Sequence, residues 1–184
     1  MNKLVAALCA VFLSLYVFEA WCVIPSADWV LAQVFEKNPV KNIKATKFNA
    51  IISHEHDKQN KTLELKNSGL SLGKEALELY AFNILLKSKS LKSFKDYLGS
   101  NGVDLNVVSL GFFGNEPAYI IGAQPGDTKS AQLWIEKTSW IVAKEIGKNH
   151  EIIFENYEAS FPRLITIKRE TSSISYTLTE ILTQ

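Results

Sequence analysis

Between Val107 and Glu136 the chain carries three short runs of β-branched and aromatic residues with almost nothing but turn chemistry between them. Val107 to Phe112 closes on Gly114-Asn115-Glu116-Pro117. Ala118 to Ala123 closes on Gln124-Pro125-Gly126-Asp127, and Gln132 to Glu136 follows. In the second of these turns Pro125 presets φ and Gly126 accepts a positive value, which marks a hairpin turn rather than a crossover. Strands joined this closely can only pair antiparallel, and the segment is expected to form the centre of an antiparallel sheet.

Before any fold can be read, the N-terminus has to be set aside. Lys3 precedes an uncharged apolar run from Leu4 to Phe18, the pattern of a secretory signal peptide, with cleavage expected between Ala20 and Cys22. The organisation is then residues 1–22 as signal and 23–184 as one domain. The alternatives are an uncleaved anchor from Leu4 to Ile24, which contains Glu19, and lipid attachment at Cys22, which the neighbouring Trp21 disfavours. Cys9 lies in the apolar run and Cys22 at the cut, so the domain has no internal disulfide and must be held by its core. With 47% hydrophobic and 21% charged residues there is material for one. A domain of this size buries roughly 70% of its unfolded surface. The net charge of +1 gives no bulk attraction to nucleic acid.

Pro25-Ser26-Ala27-Asp28 reads as a helix start with Ser26 as cap, and Val30, Leu31, Val34 and Phe35 give the helix one apolar face as far as Lys37. From Asn42 the period becomes two, with Phe48, Ala50 and Ile52 sharing a face, and the strand continues to about Glu55. A polar turn is expected at Asp57 to Asn60, then a second strand from Thr62 to Leu72. Gly73 to Gly102 is expected to be a helical insertion, with an apolar stretch Leu77 to Leu86. A helix follows behind a Ser90 cap, carrying Leu91, Phe94, Tyr97 and Leu98 and stopping at Gly99 or Gly102. Four further strands are expected at Ile141 to Ile146, Glu151 to Tyr157, Leu164 to Arg169 and Ile174 to Ile181. The total is about nine strands with two or three helices, an α+β but mainly β chain.

The motif LGxxxxxPAYIIGAxPGDxxxxQLWIEK from Leu110 to Lys137, the later FPR at Phe161 to Arg163 and the order of elements resemble the outer-membrane lipoprotein-sorting family, related to the LolA and LolB carriers. The resemblance implies a curled antiparallel sheet, an incomplete β-barrel, around an apolar cavity covered by helices. It also implies a periplasmic, non-enzymatic carrier or binder of lipid or lipoprotein acyl chains, taking part in outer-membrane biogenesis. Such a protein needs no cofactor and no nucleic acid; it acts as a monomer and meets a membrane-protein donor or acceptor in the envelope. The cavity candidates are Val34, Phe35, Phe48, Ile52, Tyr119, Ile121, Trp134, Tyr176 and Leu178. The rival within the same fold is an envelope assembly module whose interior is filled by its own side chains.

Enzymatic chemistry finds little to stand on. His54 and His56 would share one face of a strand, as zinc-binding pairs do in a metal-dependent hydrolase, yet Glu55 faces away and His150 is the remaining histidine. No nucleophile elbow, phosphate-binding loop or dinucleotide fingerprint occurs. Lys87, Lys89, Lys92 and Lys95 line the helical insertion, either as a solvated face or as contacts for anionic headgroups or an acidic partner.

Overall fold

The computed structural model describes residues 24–37, 47–54, 57–66, 69–72, 75–76, 83–85, 90–158 and 161–182. Residues 1–22, expected to be a signal segment, lie outside them with His56, Lys87 and Lys89, as does most of the apolar stretch Leu77 to Leu86. Helix α1 is Ala27–Lys37 and α2 is Leu91–Ser100. The strands are β1 Lys47–His54, β2 Asp57–Lys66, β3 Gly69–Leu72, β4 Glu75–Ala76, β5 Val108–Phe113 and β6 Glu116–Ile121. The chain continues with β7 Gln132–Glu136, β8 Val142–Ile146, β9 Glu151–Glu158, β10 Phe161–Arg169 and β11 Ser172–Leu182. All eleven form one antiparallel sheet in the order β4-β3-β2-β1-β11-β10-β9-β8-β7-β6-β5. Strands β4 and β5 are its two edges, so the sheet does not close into a barrel.

The central hairpins follow their turn chemistry. Gly114 at φ +60 occupies the first of the two residues between β5 and β6, the geometry that primed hairpin turns require. After β6 the Gln124 carbonyl accepts from Asp127 N at 3.1 Å, and Gly126 takes φ +85. The Asp127 carboxylate then accepts from Ser130 Oγ, Ser130 N and Lys129 N. These bonds, the Ser130 hydroxyl first, bring its pKa down to about 2. Gly122 is needed for a different reason: at φ +99, a side chain there would collide with the Ala131 carbonyl.

Both helices begin as their sequences dictate. Ser26 Oγ accepts from Trp29 N at 3.3 Å, and Ser90 Oγ from Ser93 N at 3.2 Å. Gly99 lies inside α2, and the turn to Gly102 at φ +84 ends it.

Three expectations are corrected. Asp57 to Asn60 is not a turn but the first part of β2, paired with His54 back to Ile51, so the connection is residues 55–56. The segment reads as polar because β2 is exposed throughout Asp57 to Thr62, a strand end projecting beyond the core. Thr62 to Leu72 is not one strand: it divides into the ends of β2 and β3, which pair Leu63 with Leu72 and Leu65 with Leu70. The region after Gly73 opens with a strand, β4, before its helix. With these divisions the described residues form eleven strands where nine were expected.

Candidate functional site

Alternate residues of the strands build one continuous apolar face. Across the central strands Ile52 faces Tyr176, Tyr176 faces Ile165, and Ile165 faces Phe154. On the other arm Val108 faces Ile121 and Leu110 faces Tyr119, which lie opposite Leu133 and Ile135 respectively. The rings of Phe48 and Phe161 stack at 4.5 Å. Helix α1 lays Val30, Leu31 and Val34 against this face and α2 lays Phe94 and Leu98, all but fully buried. The two helices are tied to each other at the surface, where Lys95 Nζ meets Asp28 Oδ1 at 2.6 Å.

Trp140, in the β7–β8 connection, fastens α1 to the sheet. Its backbone is held at φ +59 by Trp140 N donating to the Glu136 carbonyl at 3.0 Å, a rare conformation for a bulky residue. The ring thereby stacks on Tyr119 with centroids 6.0 Å apart, receives Trp29 edge-on at 5.6 Å and lies 5.2 Å below Lys37 Nζ.

Seven of the candidates, Val34, Phe48, Ile52, Tyr119, Ile121, Tyr176 and Leu178, are brought into this one interior. Phe35 is half-buried at the margin of the helix's apolar stripe. Trp134 belongs to the other face. It pairs with Ile120, not with Tyr119, and its Nε1 donates to Gln132 Oε1 at 2.7 Å under the Lys144 ammonium. Gly111 accommodates it, since a Cβ there would sit 2.8 Å from Ile120 Cδ1 and 3.4 Å from the indole. Leu133-Trp134-Ile135 is apolar on both faces, so its period could not show which side turns inward. Sequence reasoning also missed Trp140 and Trp29. No pattern marks an aromatic in a connection as a fastening, although its position directly after the central motif was a hint.

The interior is filled by its own side chains: Val34, Phe48 and Ile121 have no exposed surface, and Tyr119 and Tyr176 have 7% each. Clefts open elsewhere. One of about 620 Å³ lies between the start of α1 and Leu105 to Val108. Another of about 620 Å³ lies between the end of α2 and the β8–β9 turn, where the buried Glu145 carboxylate stands 3.9 Å from His150 Nε2. Gly147 leaves room for that imidazole. His54 sits at the exposed end of β1, separated from β9 by β11 and β10. No group of three metal-ligating side chains occurs among the described residues.

No protein-family model matches the chain, and no curated protein does. Among solved structures, a LolA superfamily protein from Nitrosomonas europaea aligns over 84% of this chain and 93% of its own, at 9% identity and a TM-score of 0.47. A domain from Vibrio parahaemolyticus, provisionally named for outer membrane lipoprotein sorting, aligns over 86% of this chain and 94% of its own, at 8% identity and a TM-score of 0.49.

Proposed function

We propose that the protein is a non-enzymatic carrier or binder of lipid or lipoprotein acyl chains. It is exported through residues 1–22 and works in the periplasm as the domain 23–184. The observation that carries this reading is the dry concave face under two short helices that are joined to each other and to the rim by surface contacts.

The energetics suit exchange. Removing acyl surface from water contributes roughly 25 cal/mol per Å². An acyl chain entering beneath the helices replaces apolar contacts made by Val30, Leu31, Val34, Phe94 and Leu98 with others of the same kind, so displacing the lid is nearly balanced. The Lys95–Asp28 pair, with Asp28 68% exposed, resists by no more than about 1 kcal/mol. Release then requires only a receiving site of higher affinity, and no bond is made or broken. The site comprises Val34, Phe48, Ile52, Tyr119, Ile121, Tyr176 and Leu178, with Phe35 at its margin.

The filled interior favours a second reading, an envelope assembly module of the same fold that carries nothing. Native mass spectrometry of the protein purified from the periplasm, with parallel titration by a fluorescent fatty acid, separates the two. A stoichiometric acylated species or saturable uptake is expected for the carrier. An empty, folded protein that takes up no fatty acid overturns it in favour of the assembly module.

A further inference from the structure

Among the described residues, three large apolar side chains stand out for exposure: Phe112 at 72%, Trp29 at 47% and Ile24 at 44%. Two of these belong to one corner. Phe112 pairs with Pro117, whose carbonyl accepts from Lys137 N at 2.9 Å, so Phe112, Pro117 and Lys137 form a row across β5, β6 and the residue that follows β7. By strand alternation the row lies on the concave face, directly beyond the row of Leu110, Tyr119 and Ile135. Trp29 reaches the same corner from α1 through Trp140, which stacks on Tyr119. Two cations complete it, Lys37 Nζ 5.2 Å from the Trp140 ring centre and Lys137 Nζ 5.2 Å from that of Tyr119.

Exposed aromatic rings at the lip of a dry interior, flanked by ammonium groups, have the composition of a surface that settles into the headgroup layer of a bilayer. Rings of this kind prefer the boundary between hydrocarbon and water, and lysines beside them reach anionic phosphates while their stems stay apolar. On the strands of this corner the charges are also sorted: Glu116 and Glu136 occupy the alternate positions shared with Ala118 and Trp134, away from the row that carries Lys137. We infer that the corner formed by Trp29, Phe112, Trp140, Lys37 and Lys137 docks the protein on an anionic membrane surface, an assignment whose purpose rests on the carrier reading above. Docked there, the lip of the concave face meets the bilayer, and an acyl chain passes between them without crossing water.

The test is sedimentation with phosphatidylcholine vesicles, with and without phosphatidylglycerol, beside the fatty-acid titration. Binding is expected only with the anionic lipid and should weaken with added salt. Phe112→Ser should weaken it about tenfold, and Trp29→Ser similarly. Lys37→Gln and Lys137→Gln should each weaken it about fivefold. All four side chains are exposed or half-buried, so the variants fold. Trp134→Phe, on the opposite face, should bind as the parent does, and vesicles of brominated lipid should quench that variant's indole fluorescence through Trp29 and Trp140. Vesicle binding without fatty-acid uptake supports the docking surface while removing the carrier reading. Uptake without vesicle binding overturns the docking, as does binding that Phe112→Ser leaves unchanged. A dimer in solution that Phe112→Ser dissolves overturns it too, by making the corner a contact between copies of this chain.

Discussion

On the concave face Phe48, Ile121, Leu133 and Ile135 are wholly buried, while one residue away along the same or neighbouring strands Trp134, Lys144, Glu151 and Lys168 reach water. The strands supply apolar residues to both faces. What separates the faces is the cover: α1 and α2 close one, and among the described residues only side chains lie over the other. On the outer face the chain builds its own cover, with Trp134 packed over Ile120 and Gly111, held by Gln132 and topped by Lys144. Beyond it Glu151 is clasped by Lys144 at 3.1 Å and Lys168 at 3.2 Å. Stability should therefore be concentrated in the covered face, and the outer face should tolerate change.

The sharpest way to break that contrast is one disruptive substitution on each side. Ile121→Glu places a carboxylate at a position with no exposed surface within the apolar core, and should lower unfolding free energy by about 3–5 kcal/mol in urea titration. On the outer face Trp134→Ala removes a half-buried ring and its cation contact, with an expected loss of about 1–2 kcal/mol. Equal losses at the two sites would show that the helices do not make the difference. Between these, Phe48→Leu tests packing rather than polarity: the stacked pair with Phe161 is lost but much of the volume is kept, and a cost of about 1–2 kcal/mol is expected in the same titration.

The same contrast explains what the sequence could disclose. The central hairpins were readable because Pro-Gly and Gly-Asn turns state their own geometry, and the helix starts because Ser26 and Ser90 are caps whose partners are local. Phe48-Ala50-Ile52 and Tyr176-Leu178 were readable as an inner face because the residues that alternate with them, Ile51 apart, are polar. Trp134 was not, since its neighbours are as apolar as itself and its side is settled by pairing with β6, a contact between strands. The start of β2 was misplaced because the strand begins with a polar run that mimics a turn. Trp140 owes its role to α1, far away in the chain, and to a backbone conformation that no propensity favours.

The smallest effect is expected at Glu151, and it carries a sign that tests the outer face directly. Partial burial raises the pKa of this carboxyl, but the hydrogen bonds and charges of Lys144 and Lys168 outweigh that and hold it below the ordinary 4.5. A group whose pKa is lower folded than unfolded stabilises the fold above the unfolded value and ceases to do so as pH falls through the folded one. Glu151→Gln should therefore cost about 0.5 kcal/mol at about pH 7, where the parent carboxylate is charged, and less at high salt. As pH falls below 4.5 the difference should shrink, because the parent then loses the same interaction by protonation. Urea titrations of parent and variant at several pH values measure both quantities. A cost that stays constant down to acid pH would mean that Glu151 acts through packing rather than charge. The outer face would then be held by the same kind of force as the inner one.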